Sequence, residues 1–120
     1  MRYFFQFLVL ILFVSNANAG TKHLHTERFY QEQDCKGILE FKFDDGTRAD
    51  CLENEYVSEY DYAYKFYESV GQALYYSMKS GLKPRIVLIV DKKQYEKYIE
   101  KATPLCKRYG IKLDVIKDYQ

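Results

Sequence analysis

The chain has 120 residues, of which 18 are Lys or Arg, 17 are Asp or Glu, and 18% are aromatic. This length supports one domain with a modest hydrophobic core. The balanced charge disfavours a tight, nonspecific DNA-binding protein, because such proteins carry a basic surface, although a local basic patch remains compatible with it.

The first 19 residues have the features of a secretory signal peptide. Arg2 precedes the apolar run Phe4 to Val14, and Ala17-Asn18-Ala19 has the small-x-small form of a cleavage site. A membrane-spanning helix needs about 20 apolar residues, and this run is shorter. We therefore predict cleavage after Ala19, export to the periplasm or the exterior, and no stable membrane insertion afterwards. An uncleaved membrane anchor is the alternative.

The next segment, residues 20–26, is predicted to be a flexible leader. It contains His23 and His25, which leaves a weak metal-binding tail as an alternative. A short helix follows up to Cys35, and Thr26 is suited to cap its first turn.

A pair of strands comes next. Residues Gly37 to Phe43 alternate between apolar and polar side chains, as in a half-buried strand. The turn sequence Asp44-Asp45-Gly46 is a strong hairpin signal. It predicts that a second strand, Thr47 to Leu52, returns antiparallel to the first.

The second half of the chain alternates strands and helices. A third strand is predicted over Tyr56 to Asp61, a helix over Ala63 to Lys79, and a strand buried on both faces over Arg85 to Val90. A helix that Asp91 can cap and that continues to Tyr109, and a strand from Ile111 to Ile116, complete the chain. This order predicts one α/β domain over residues 27–120, with a mixed central sheet flanked by helices.

The three cysteines, Cys35, Cys51 and Cys106, lack the CxxC spacing of a zinc site. In an oxidising compartment two of them are expected to pair. The predicted hairpin folds the second strand back towards Cys35. We therefore predict a Cys35–Cys51 disulfide and a free Cys106.

Three carboxylates fall on neighbouring strands. Glu59 and Asp61 share one face of the third strand, because side chains alternate with a period of two, and Asp50 lies on the second strand. Hard oxygen ligands of this kind suit Mg²⁺, which takes few protein carboxylates and keeps several waters. The sequence therefore predicts a magnesium site formed by Asp50, Glu59 and Asp61.

The predicted helix after the third strand carries a polar stripe. Lys65, Ser69, Gln72 and Tyr76 fall within roughly 60° of one another on a helical wheel, beside the apolar face. We expect this stripe to meet the three carboxylates. Four further tyrosines are expected to pack or to line the rim rather than to stack on bases: Tyr62, Tyr64, Tyr67 and Tyr75.

Three motifs in this region resemble those of PD-(D/E)XK nucleases of the RecB-like type. The segment GTRAD (residues 46–50) is similar to GxxxD, Glu59-Tyr60-Asp61 to D/E-x-K, and QALYY (residues 72–76) to QxxxY. The resemblance implies a restriction-endonuclease-like αβββαβ core, to which this chain adds a C-terminal helix and strand. It also implies Mg²⁺-dependent hydrolysis of phosphodiester bonds in DNA or RNA.

The same resemblance implies roles for individual residues. Asp50 and Glu59 would be metal ligands, and Tyr60 would add its backbone carbonyl. Gln72 and Tyr76 would support the site or contact the nucleic-acid backbone. The acid that the family carries on its first helix would be Glu27 or Glu32.

The sequence departs from the family at position 61, where Asp61 replaces the motif lysine. An aspartate supplies no positive charge, so the resemblance assigns the catalytic lysine to Lys65, one helical turn beyond position 61 and on the same stripe as Gln72. Three functions follow as alternatives: an exported nuclease, a catalytically inactive nuclease-like binding module, and a small structural secreted protein. A protein partner is not identified by the sequence.

Overall fold

The computed structural model describes residues 23–93 and 95–119; the predicted signal peptide lies outside them. The described residues form an α/β structure in which a short 3-10 turn, Ala63–Lys65, leads into the second helix. The elements are α1 (Glu27–Asp34), β1 (Ile38–Lys42), β2 (Arg48–Leu52), β3 (Tyr56–Tyr62), α2 (Phe66–Ser80), β4 (Lys83–Val90), α3 (Tyr95–Arg108) and β5 (Lys112–Lys117).

The five strands form one mixed sheet in the order β1-β2-β3-β4-β5. β1, β2 and β3 pair antiparallel, whereas β3, β4 and β5 pair parallel. Short turns join the first three strands, and α2 and α3 make the crossovers that parallel pairing requires. The predicted class, an α/β protein with a mixed sheet and helices, is confirmed.

β4 forms the centre of the core because helices cover both faces of the sheet. Ile86, Leu88 and Val90 pack with the apolar faces of α2 and α3. Val87 packs on the opposite face with Tyr60, on the side where the end of α1 lies. This burial on both faces explains the unbroken apolar sequence that predicted the strand.

α2 packs on the sheet through a regular apolar stripe. Phe66, Val70 and Ala73 are buried against β4 and α3, as the 3.6-residue period requires. The helix ends at Gly81, which adopts φ 73° and donates its N–H to the Ser77 carbonyl at 2.9 Å. Glycine accepts this left-handed conformation without a steric penalty.

Cys35 and Cys51 form a disulfide with a Cα–Cα distance of 5.9 Å, as the hairpin geometry predicted. Cys106 is free and buried, also as predicted. The bridge joins the end of α1 to β2, and it indicates an oxidising, extracytoplasmic environment. Within residues 23–93 and 95–119, no helix has the length and hydrophobicity needed to cross a bilayer.

The structure differs from the predicted leader over residues 20–26, of which residues 20–22 lie outside the described part. The Asp118 carboxylate accepts the Leu24 and His25 backbone N–H groups at 2.8 and 3.1 Å, and His23 Nδ1 lies 3.0 Å from the same group. Tyr30 donates its hydroxyl to it as well. Because Asp118 is buried, its charge needs these donors, and they hold the segment in place.

One helix boundary also differs from the prediction. α3 is Tyr95–Arg108, whereas the sequence predicted a helix capped directly by Asp91 and continuing to Tyr109. Asp91 accepts the Lys93 backbone N–H at 2.9 Å, so it caps a turn ahead of the helix.

Candidate functional site

The candidate site lies where β2 and β3 separate. Main-chain pairing joins Leu52 with Val57 and Cys51 with Ser58. Beyond these pairs, carboxylate side chains accept the backbone N–H groups. The Asp50 N–H donates to Glu59 Oε1 at 3.2 Å, and the Tyr60 N–H donates to Asp50 Oδ2 at 2.8 Å. The two carboxyl groups therefore lie together in the gap between the strands.

A backbone distortion accompanies this gap. The β1–β2 register places Glu40 opposite Asp50, and Glu40 adopts φ 53°, which is unusual for a residue with a side chain. In a regular strand, residues three positions apart point to opposite faces, yet Ala49 and Leu52 belong to the same apolar cluster. The regular alternation of β2 therefore breaks at Asp50.

Burial and mutual repulsion change the protonation of the pair. Burial raises the pKa of Glu59 well above its usual range, and the neighbouring Asp50 charge raises it further. Burial also raises the pKa of Asp50. Two adjacent buried carboxylates repel each other, so the pair favours binding a proton, and the rise in pKa is larger for Glu59 than for Asp50.

Asp61 is the third predicted carboxylate, and it lies beside the other two. Its Oδ2 accepts the Ser69 hydroxyl at 2.6 Å. Burial raises the pKa of Asp61 to about 7; the Ser69 hydrogen bond opposes this rise, and the Glu27 and Asp50 charges add to it. Asp61 is thus held by α2 rather than by β2.

The polar stripe of α2 faces this group of acids. Ser69 bonds Asp61, and Lys65 donates to Glu27 Oε1 at 2.7 Å. Burial raises the pKa of Tyr76, and the nearby Glu59 carboxyl adds to that rise where it is ionised.

Gln72 lies between Ser69 and Tyr76 on the same stripe, because the three residues follow one another at spacings of three and four. It is half-buried, and its side chain makes no hydrogen bond with the described residues. Its side-chain amide is therefore free to bind a ligand on this flank of α2.

Of the two acids predicted on the first helix, only Glu27 reaches the site. Its Oε1 accepts both the Lys65 ammonium and, at 3.4 Å, the Tyr62 N–H. Glu32 instead pairs with Arg28 at 2.6 Å on the exposed side of α1. The two acids are five residues apart, roughly 140° around the helix, so their side chains point in different directions and the packing of α1 selects Glu27.

A metal ion fits two of the predicted ligands better than three. Among residues 23–93 and 95–119, no three His, Cys, Asp or Glu side chains are arranged to hold one ion. Asp50 and Glu59 are in contact, and Mg²⁺ commonly takes one or two carboxylates together with water. A divalent cation there would replace the proton that the pair shares. Asp61 remains engaged with Ser69 and outside that pair.

Sequence reasoning missed an aromatic row next to the site. The His23 ring stacks on Tyr62 at a centroid distance of 3.8 Å, and the Tyr62 ring stacks on Tyr64 at 6.2 Å. The Lys65 ammonium lies 5.7 and 5.8 Å from the two tyrosine rings. The closely spaced Tyr62, Tyr64 and Lys65 in the sequence indicate part of this row. The contact of His23 depends on Asp118, which lies far along the chain and could not be predicted from a local pattern.

Comparison with known proteins identifies no relative of this chain. No protein-family model matches it, and neither the curated proteins nor the solved structures give a significant match.

Proposed function

We propose that this protein is an exported Mg²⁺-dependent nuclease of the PD-(D/E)XK type, hydrolysing phosphodiester bonds in DNA or RNA. The observation that carries the proposal is the contact between Asp50 and Glu59 in the gap between β2 and β3. The motif likeness assigns these two residues as metal ligands. Their contact is what that assignment requires.

The surrounding elements also support the proposal. The order α1-β1-β2-β3-α2-β4 has the sequence of helices and strands of an αβββαβ core. Glu27 comes from the first helix, and Gln72 and Tyr76 come from the helix that follows β3. Each side chain therefore originates on the element that the likeness requires.

Bound to Asp50 and Glu59, Mg²⁺ would lower the pKa of a coordinated water and neutralise charge on the phosphate. The protein's own contribution is positional. The Tyr60 N–H fixes Asp50, and the Asp50 N–H fixes Glu59. Gln72, with its free amide, can donate to a phosphate oxygen, and Lys65 is close enough to Asp61 for its charge to lower the pKa of that carboxyl.

The disulfide supports export, since such bonds persist in the periplasm and outside the cell. The signal-peptide pattern of residues 1–19 supports the same location.

A second function, an inactive nuclease-like binding module, is favoured by one observation. Asp61 stands at the position of the motif lysine, and the alternative lysine, Lys65, is already paired with Glu27 at 2.7 Å. With its ammonium neutralised by Glu27, Lys65 has less charge to offer a phosphate. The same fold would then bind a ligand without hydrolysing it.

A digestion assay on the oxidised mature protein separates the two functions. Plasmid, single-stranded DNA and RNA are incubated with Mg²⁺, Mn²⁺ or EDTA. We expect cleavage with the metals and none with EDTA, and Asp50→Asn and Glu59→Gln should each abolish it. These substitutions retain an oxygen acceptor for the backbone N–H groups, so circular dichroism should show an intact fold.

Glu100→Gln is the matched control, because Glu100 is exposed on α3, away from the candidate site. It should cleave like the unmodified protein. An absence of cleavage under every metal would refute the nuclease and leave the binding module.

A further inference from the structure

A groove of about 390 Å³ separates the first turn of α2 from α3. Its volume lies within the range of about 300–1,000 Å³ that is typical of small-ligand pockets, so it has room for a nucleobase but not for a duplex. Two cations and no acid line it. The lining residues are Phe66, Tyr67, Lys101, Pro104, Leu105 and Arg108.

The two cations of this groove have no internal counter-charge. Lys101 and Arg108 are exposed and form no ion pair with the described residues. Seven positions separate them, so they lie on the same side of α3. By contrast, Lys79 and Lys83 elsewhere on the surface are paired with acids at 2.7 and 2.8 Å. The groove therefore offers positive charge to an external anion.

The groove also presents an exposed aromatic ring on a rigid base. Tyr67 is 72% exposed, and its ring lies 4.1 Å from that of Phe66, which is only 2% exposed. Because Phe66 belongs to the core, it restricts the motion of the tyrosine ring. A fixed, exposed ring beside two cations combines stacking with charge, as sites for unpaired nucleotides do.

The groove and the candidate site share the first two turns of α2. Tyr67 faces α3, whereas Ser69 bonds Asp61 on the other flank. A helix is about 10 Å across, so a few nucleotides bridge the two positions. A single-stranded nucleic acid that joins the two positions would pass around the start of α2. Tyr64, which is 50% exposed, and Lys65 lie there.

We propose that this groove binds unpaired nucleotides, with a base stacked on Tyr67 and phosphates contacting Lys101 and Arg108. The preferred substrate of the candidate site is then single-stranded nucleic acid. This statement about the substrate rests on the proposed nuclease function, whereas binding in the groove does not require cleavage. The near-neutral charge of the chain agrees with contacts to few phosphates.

Fluorescence anisotropy in EDTA tests the groove without cleavage. The probe is a labelled oligothymidylate of about ten nucleotides, within the usual range for such sites. Tyr67→Ala should weaken binding about 5- to 100-fold, the loss expected for one stacked base. Lys101→Ser and Arg108→Ser should each reduce the slope of log affinity against log salt by about 0.7. A duplex of the same length should bind more weakly.

Two variants serve as matched controls. Met78→Ala removes an apolar side chain that is 70% exposed at the far end of α2, and Lys42→Ser removes an exposed cation on β1. Both should bind the probe like the unmodified protein.

The inference is overturned if the unmodified protein does not bind the oligonucleotide, or if the three groove variants bind it normally. It is also overturned if only polyglutamate or phosphatidylglycerol vesicles bind through these residues. Groove-dependent binding without any nuclease activity would support the groove and refute the proposed enzyme. Cleavage of single-stranded DNA that survives all three substitutions, together with unchanged oligonucleotide binding, would support the enzyme and refute the groove.

Discussion

Lys65 and Glu27 form an ion pair across 38 positions of the chain, with Lys65 Nζ 2.7 Å from Glu27 Oε1. The pair joins the turn that starts α2 to the first turn of α1, and it closes one side of the Asp50–Glu59–Asp61 group. Both side chains are only partly exposed, at 32% and 22%. This contact therefore connects the two helices that lie on opposite faces of the sheet.

We expect Glu27→Gln and Lys65→Met each to lower the free energy of unfolding by about 1 kcal/mol, in line with a partly exposed ion pair. The double variant should lose less than the sum, because each single change already breaks the pair. Urea unfolding of the four proteins measures this coupling. Strictly additive losses would show that the ion pair contributes nothing.

Stability should fall as pH rises from about 4 to about 7. Burial raises the pKa of Asp61 to about 7, while an unfolded aspartate titrates near 3.9. Between these values the folded state binds the proton more tightly, so the stabilisation is complete below the unfolded pKa and is lost as pH passes the folded pKa. The raised pKa values of Asp50 and Glu59 act in the same direction.

Urea unfolding at about pH 4.5 and about pH 7.5 tests this dependence, where each unit of pKa difference corresponds to about 1.4 kcal/mol. Asp61→Asn should flatten the dependence without removing it, since the Asp50–Glu59 pair remains. Glu100→Gln should leave it unchanged. A protein whose stability rises over this range would contradict the assignment of protonated carboxyls.

Removal of the disulfide should be costly. The bridge closes a loop with a sequence separation of 16, for which the chain-entropy model gives about 3 kcal/mol. We therefore expect Cys35→Ser with Cys51→Ser to lower the free energy of unfolding by about that amount. Peptide mapping without reduction checks the pairing. Any cross-linked peptide containing Cys106 would contradict it, and iodoacetamide should leave the buried Cys106 unmodified until the protein unfolds.

Asp118 should control the order of the segment at residues 23–26. Asp118→Ala removes the acceptor of the Leu24 and His25 N–H groups, so both amides should exchange with solvent much faster. Loss of a buried, multiply bonded carboxylate should also destabilise the fold by about 2–4 kcal/mol. Hydrogen exchange followed by NMR resolves the two amides.

Asp114→Asn is the control for this experiment, because Asp114 bonds Arg85 on β4 at 2.7 Å. It should lower stability without exposing the Leu24 and His25 amides. If those amides exchange equally fast in both variants, the segment is not held by Asp118.

Local patterns were sufficient to predict which neighbouring side chains lie together at the candidate site. The alternation of β3 places Glu59 beside Asp61, and the helical period places Ser69 in line with Lys65. In the structure Ser69 bonds Asp61, and the charge of Asp61 acts on Glu59. The hairpin signal predicted that Cys51 would reach Cys35. Each of these relationships spans one or two adjacent elements, for which periodicity and turn type define the direction of the side chain.

The sequence by itself determined the class of the fold, the buried strand at Ile86–Val90 and the disulfide, because these depend on apolar periodicity and on a tight turn. Tertiary structure alone decided the positive φ of Glu40, the choice of Glu27 over Glu32, and the attachment of His23 to Asp118. His23 and Asp118 are 95 positions apart, and no local period relates them. A buried carboxylate takes whichever donors the packing of distant elements brings to it, and that packing is a property of the whole chain.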